Sequence, residues 1–222
     1  MYDVFSLLLF SLFSYNSRFT ITLMPDEDIY PISDRLLRRP EKERQLGRKG
    51  AVFWLCGLSG SGKSTLAIEL EKRLSDREVH SVVLDGDNLR STLNKDLGFS
   101  DDDRKENLRR GSEVAKLLVD NGMVVIVSFI TPLDEFRKQA KNGTGHSDYF
   151  EIYVKTSFDV CRQRDVKGLY AKAEEGNVTS FTGKDSSFEQ PTDPWLTIDT
   201  ENASLDESAD TLFQSVLKVI KF

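Results

Sequence analysis

The chain has 222 residues, with 30 Lys and Arg against 36 Asp and Glu for a formal net charge of −6, which suits one α/β domain with a sizeable core and is too short for two ordinary enzyme domains. The acidic balance argues against a general nucleic-acid or anionic-membrane binder, because counterion release needs a basic surface; an anionic ligand has to be met by locally gathered Arg and Lys. Two cysteines, Cys56 and Cys161, have no metal-ligand or redox spacing and read as small buried residues of a reducing cytosol. With His80 and His146 isolated from them and from each other, the pattern offers no zinc site and no Ser/His/Asp constellation.

In chain order, the run from Met1 to Phe13 looks like the apolar part of a signal peptide, but no Lys or Arg precedes it, and it is too short and Ser-interrupted to cross a bilayer. From Met24-Pro25-Asp26-Glu27-Asp28 onward the chain has the charged look of a cytosolic enzyme's start. Residues 1–23 are therefore expected to be a non-native upstream extension, with a weak targeting segment as the other reading. Residues 24–50 are expected to be a charged lead-in, helical or extended, and residues 51–222 the domain proper.

A strand-like run, Ala51 to Cys56, leads into Gly57-Leu58-Ser59-Gly60-Ser61-Gly62-Lys63-Ser64-Thr65, which fits the Gly-x-x-x-x-Gly-Lys-Ser/Thr phosphate loop. Backbone N–H groups can wrap a phosphate only where side chains stay out of the way, which is the use of Gly57, Gly60 and Gly62. Lys63 can reach the β- and γ-phosphates, the helix opening there adds the positive end of its dipole, and the Ser64 hydroxyl is suited to Mg²⁺. Leu66, Ala67, Leu70 and Leu74 continue at helical spacing, so the loop sits between a strand and a helix as the motif requires. A nucleoside triphosphate is the expected ligand.

Further strands are predicted at Ser81–Leu84, Met123–Phe129, Tyr149–Val154 and Leu196–Ile198, each short and rich in β-branched or aromatic residues. Helical patterns lie between them, and this alternation predicts a parallel sheet with helices on both faces. The clearest helix runs from about Asp101 to Asp120, with Ser100 as N-cap and Leu108, Ala115, Leu118 and Val119 on an apolar face. The last begins at a capping box, Ser204-x-x-Glu207. Residues 167–195, punctuated by Gly168, Gly176, Gly183, Pro191 and Pro194, form a long connection that is expected to be a mobile lid.

In an open parallel sheet ligands collect at the carboxyl ends of the strands. After the second strand comes Asp85-Gly86-Asp87-Asn88-Leu89-Arg90, whose carboxylates can face a γ-phosphate and its metal; Asp87 can orient or deprotonate an attacking hydroxyl, or hold a Mg²⁺-bound water. The same string is also an ordinary Asp-Gly turn. Arg104 and Asn107, at i and i+3, share a helix face and could hold a second anion, although such a run is commonly a solvated helix start. After the third strand, Ile130-Thr131-Pro132 puts a hydroxyl at a helix start, which is also the pattern of a plain N-cap before an N1 proline.

Taken together, the phosphate loop, Asp85-Gly-Asp87-Asn-Leu-Arg90, Leu97-Gly-Phe99-Ser, Arg104-Lys-Glu-Asn107-Leu-Arg-Arg, Ser128-Phe-Ile-Thr131-Pro, Lys167-Gly-Leu-Tyr and Phe181-Thr-Gly resemble the adenylyl-sulfate kinase family, in order from about residue 28 to residue 200. The resemblance implies a P-loop kinase that moves the γ-phosphate of ATP, with Mg²⁺, to the 3′-hydroxyl of adenosine 5′-phosphosulfate in sulfate assimilation. It implies that Asp85, Arg90, Arg104 and Asn107 hold the acceptor, that Phe99 and Phe181 clamp its adenine, that Lys167 reaches the anions as the lid closes, and that Ile130 packs near the acceptor nucleotide. Residues Gly57 to Thr65, with Arg164 near the adenine, would bind ATP. Lys63, Asp87 and Thr131 would serve the transfer step, and Ser64 with Asp87 the metal. The resemblance implies a cytoplasmic homodimer and a functional coupling to a separate sulfate adenylyltransferase, since the chain has no room for a fused one. The family usually has Ser at Thr131, which keeps the hydroxyl and adds a methyl, and Pro at Val166, whose loss loosens the lid hinge.

Two other readings compete. The phosphate loop alone fixes only the donor, so another small-metabolite kinase, such as one for a sugar acid, shares it; the acceptor-side arginines and aromatics favour a nucleotide-like acceptor instead. A nucleotide-sensing module without turnover is the non-enzymatic reading, and the joint presence of Lys63, Asp87, Arg104 and Asn107 speaks against it.

Overall fold

The computed structural model describes residues 29–165, 168, 170 and 187–221. Residues 1–36 form one unit and residues 37–222 another. In the first, the described element is a single 3-10 turn, Ser33–Arg35.

The larger unit is built on five parallel strands, β1 (Ala51–Cys56), β2 (Ser81–Asp85), β3 (Val124–Ser128), β4 (Tyr149–Lys155) and β5 (Leu196–Asp199), in the order β2-β3-β1-β4-β5. The sequence-based strands match these to within a residue or two at each end. β1 reads AVFWLC, an unbroken apolar run buried at every position, as a central parallel strand covered on both faces must be. Its side chains alternate between two cores. Phe53 and Leu55 meet α2 (Lys63–Ser75) and the C-terminal helix (Leu205–Ile220) through Leu66, Leu70, Leu212 and Val216. Val52 and Trp54 meet α4 (Asp101–Val119) and α5 (Asp134–Thr144) through Leu108, Ala115, Phe136 and Ala140.

The helix starts at Ser100 and Ser204 are where the sequence places them. Ser100 Oγ accepts from Asp103 N at 3.2 Å, and Ser204 and Glu207 exchange the two bonds of a capping box. Gly122, just past α4, takes a positive φ of 80°. Of the lead-in, α1 (Arg39–Leu46) is bound into the domain by Arg39, whose guanidinium donates to both carboxylate oxygens of Asp148 at 2.6 and 2.8 Å and to Gly50 O at 2.8 Å. Cys56 and Cys161 are buried as expected, the latter in α6 (Phe158–Arg164); His80 and His146 are exposed.

Candidate active site

The carboxyl ends of the strands open on a cavity of about 820 Å³. Its floor is the phosphate loop, carried from the buried end of β1 to the first turn of α2. A Cβ on Gly57 would lie 2.6 Å from Val154 O and 2.9 Å from Ser61 Oγ, so no other residue fits that turn. Gly62, with φ 100°, brings the chain into the helix in a conformation side-chain-bearing residues rarely adopt. Lys63 is buried, and its ammonium folds back over the loop to donate to Leu58 O at 2.6 Å.

Ser64 Oγ donates to Asp85 Oδ2 at 2.8 Å and lies 3.2 Å from Ser128 Oγ, so the tips of β2, β3 and α2 meet in one cluster of oxygen ligands. Asp85 also caps the short helix α3 (Gly86–Ser91), its Oδ1 accepting from Asp87 N at 3.0 Å. The Asp-Gly string is therefore both a turn with a cap and part of the cavity wall. Hydroxyl and carboxylate oxygens are the hard donors Mg²⁺ takes, and Mg²⁺ with a nucleotide needs only one or two of them because phosphates and water complete its shell. These residues fit that ion.

The opposite wall is cationic. Arg90 and Arg104 line it with Phe99 and Asn107. Arg90 stacks on the Phe99 ring at 4.6 Å and donates to Gly98 O at 2.5 Å, while Arg104 Nε donates to Phe99 O at 2.9 Å. Burial, and next the charge of Arg104, push the Arg90 guanidinium below its ordinary pKa, and burial does the same to Arg104. Two partly desolvated like charges that repel each other gain by receiving an anion between them. Phe99 is 63 % exposed, with the Arg90 guanidinium over one face of its ring.

Thr131 corrects one expectation. It is no N-cap: α5 starts at Asp134 after Leu133, which makes no side-chain cap bond. The Thr131 hydroxyl is instead buried and accepts from Trp54 Nε1 at 2.9 Å, on a backbone with φ 44°. Arg137, also buried, donates to the carbonyls of Thr131 and Pro132 at 3.3 Å each. The preceding carbonyl, Ile130 O, accepts from Gly57 N at 3.2 Å, so this turn and the phosphate loop brace one another.

Arg164, at the end of α6, donates to Thr200 O at 2.6 Å and lines the cavity beside Gly60 and Gly62. Sequence reasoning missed its partners. Thr200 Oγ1 donates to Ser61 O at 2.7 Å and pairs with Thr156 Oγ1 at 2.6 Å, and Tyr170 OH donates to Ser59 O at 2.8 Å; these pin the outside of the phosphate loop. Nothing in their residue type or local pattern announces it. Lys167 and Phe181 lie outside the described residues, as does most of the expected lid. Its far end is attached to the body: Phe188 stacks on Tyr153, Glu189 N donates to Pro132 O at 2.8 Å, and Trp195 packs on Phe53 and Phe150. Among the described residues no helix is long and apolar enough to cross a membrane.

Comparison with known proteins agrees with this arrangement. The profile of the adenylylsulphate kinase family matches residues 49–199. An adenylyl-sulfate kinase of Phocaeicola vulgatus is 51% identical over 197 residues, spanning 89% of this chain and 97% of its own, and one from Bacteroides thetaiotaomicron is 48% identical over 193 residues, spanning 87% and 96%. Among solved structures, the Mycobacterium tuberculosis APS kinase CysC in complex with AMPPNP and APS superposes with a TM-score of 0.73 at 46% identity, covering 76% of this chain and 98% of that one. On the phosphate loop, the arginines that line its cavity and these likenesses, the chain belongs to the adenylylsulphate kinase family.

Proposed function

We propose that this protein transfers the γ-phosphate of ATP to the 3′-hydroxyl of adenosine 5′-phosphosulfate, giving ADP and 3′-phosphoadenylyl sulfate. The observation that carries the reading is a single cavity with a phosphate loop on one wall and the Arg90, Phe99, Arg104, Asn107 set on the other. A sugar acid would have no use for the exposed Phe99 ring; an adenine would stack on it.

The residues divide the work as follows. Gly57 to Thr65 wrap the donor phosphates with backbone N–H groups, and Lys63, swung from Leu58 O, reaches the transferred group. Arg164 closes the donor side next to Gly60. Arg90, Arg104 and Asn107 hold the acceptor's phosphosulfate, Phe99 stacks its base, and Ile130 packs beside it. Asp87, at the start of α3, orients the attacking hydroxyl and accepts its proton. Ser64 and Asp87, with Asp85 at the Ser64 hydroxyl, would hold Mg²⁺, which supplies neutralising charge on the β- and γ-phosphates. Thr131 acts through position, since its hydroxyl is committed to Trp54. Lys167 and Phe181, which lie outside the described residues, are assigned to the acceptor by the family resemblance alone.

A cytoplasmic location, a homodimer and coupling to a separate sulfate adenylyltransferase belong to the same proposal and rest on the family likeness; the domain limits at 24 and 51 rest on the change in sequence character, whereas the contacts divide the chain after residue 36. The test is ADP production by purified protein with Mg²⁺-ATP and, in turn, adenosine 5′-phosphosulfate, AMP, gluconate or buffer alone. Turnover confined to the phosphosulfate is the expected result. Turnover with gluconate instead, or nucleotide binding without any turnover, would overturn it.

A further inference from the structure

Asn94 lies in the connection between α3 and α4, outside the cavity, and is fully buried. A polar side chain without solvent access in a loop demands a reason. Its amide Nδ2 donates to Asn107 Oδ1 at 2.9 Å, while its own Oδ1 is buried without a partner. The backbone around it is equally committed: Asn94 N donates to Leu89 O at 2.7 Å, and Leu97 N to Asn94 O at 3.0 Å. Asn94 is thus locked to both α3 and α4.

The bond has a consequence for Asn107. A carboxamide has two ends of opposite polarity, one accepting and one donating, and whichever end is engaged inside the protein fixes the end shown to the cavity. With Oδ1 held by Asn94, the donor Nδ2 of Asn107 is the end left for a ligand, on the same wall as Arg90 and Arg104. A donor there adds to the two guanidinium groups for an anionic or oxygen-rich acceptor; a carbonyl oxygen there would oppose them.

We propose that Asn94 is a positioning residue of the acceptor subsite: its buried amide holds Asn107 with Nδ2 facing the cavity. The inference rests on the assignment of this wall to the acceptor. Asn94 never touches the substrate; it sets which hydrogen-bonding face the substrate meets.

Asn94→Asp, assayed at alkaline pH where the buried carboxyl is ionised, tests the polarity directly, because a carboxylate only accepts and so draws Asn107 Nδ2 inward, turning Oδ1 to the cavity. The expected result is a rise of about tenfold or more in KM for adenosine 5′-phosphosulfate with KM for ATP unchanged, the size of one hydrogen bond to a charged group. Asn94→Ala, Asn107→Ala and the double variant supply a second measurement that does not depend on the Asp variant folding. If Asn94 acts through Asn107, its loss raises the acceptor KM in the parent but adds no more than about twofold once Asn107 is gone. Equal loss for both substrates, or full additivity in the double variant, would overturn the proposal. Failure of the parent protein to turn over the phosphosulfate would instead strike at the reaction assignment, and the two failures are told apart in the same assay.

Discussion

Asp85 joins two jobs in one carboxylate: Oδ2 accepts the Ser64 hydroxyl at 2.8 Å and Oδ1 accepts the Asp87 backbone N–H at 3.0 Å. The start of the phosphate-loop helix and the start of α3 are therefore set by a single side chain. Asp85→Ala removes both bonds. We expect about 1 kcal/mol less stability from the lost cap and a fall in kcat/KM for ATP of about tenfold or more, checked by chemical denaturation and steady-state kinetics. An unchanged kcat/KM would separate Asp85 from the donor site.

Asp87 and Arg104 are assigned to different steps, and kinetics distinguishes them. Asp87→Ala is expected to lower kcat by about a hundredfold while leaving ATP affinity nearly unchanged. Arg104→Ala is expected to raise the acceptor KM with a smaller change in kcat. The reverse pattern would refute both assignments.

Thr131→Val keeps the shape but removes the acceptor of the Trp54 indole N–H, leaving a buried donor without a partner. The expected cost is about 1–3 kcal/mol in denaturant unfolding. Thr131→Ser keeps the hydroxyl and should retain turnover within about threefold, a modest change in barrier. Loss of turnover in the Ser variant would assign the Thr131 methyl a role that its hydroxyl bond does not explain.

Gly57→Ala places a Cβ 2.6 Å from a backbone carbonyl, Val154 O, which cannot yield as a flexible side chain would. We expect loss of nucleotide binding by titration, together with destabilisation in the range of about 1–3 kcal/mol for overpacking.

Acid should loosen the brace of the 92–99 connection. Arg109, then Arg110, holds Glu106 down to about 2 from 4.5, and Arg110 holds Asp96 below its ordinary value. Folded-state values depressed below the unfolded ones mean that this stability is present above the ordinary carboxylate range and is lost as pH falls through the folded values. Because Asp96 is exposed and Glu106 only half-buried, solvent screening keeps the effect small. Glu106→Gln should make the acid limb of stability, followed by denaturation from pH 7 downward, shallower. An unchanged limb would show the ion pairs to be idle.

The strands and the residues at their tips were legible because they follow rules that act locally. β1 could be read from AVFWLC followed by glycines, and Ser100 and Ser204 from capping chemistry. Arg90, Phe99, Arg104 and Asn107 were found through resemblance, since their spacing alone also describes a solvated helix start. Thr200, Tyr170 and Asn94 left no such mark. Thr200 and Ser61 are 139 positions apart, and a threonine after a strand is too common to single out. Thr131 misled for the opposite reason: Thr-Pro is a strong local cap signal, overridden here by a buried indole from β1.

The strand order separates the two halves of the site by their depth in the sheet. The phosphate loop leaves β1, which has neighbours on both sides, whereas Asp85 and α3 follow β2, at the edge. Amide exchange should accordingly be slowest at the root of the loop and faster along β2. The same asymmetry leaves Asp85 on a margin of the sheet that has room to adjust, while the root of the phosphate loop sits at the centre, where both neighbouring strands resist any shift.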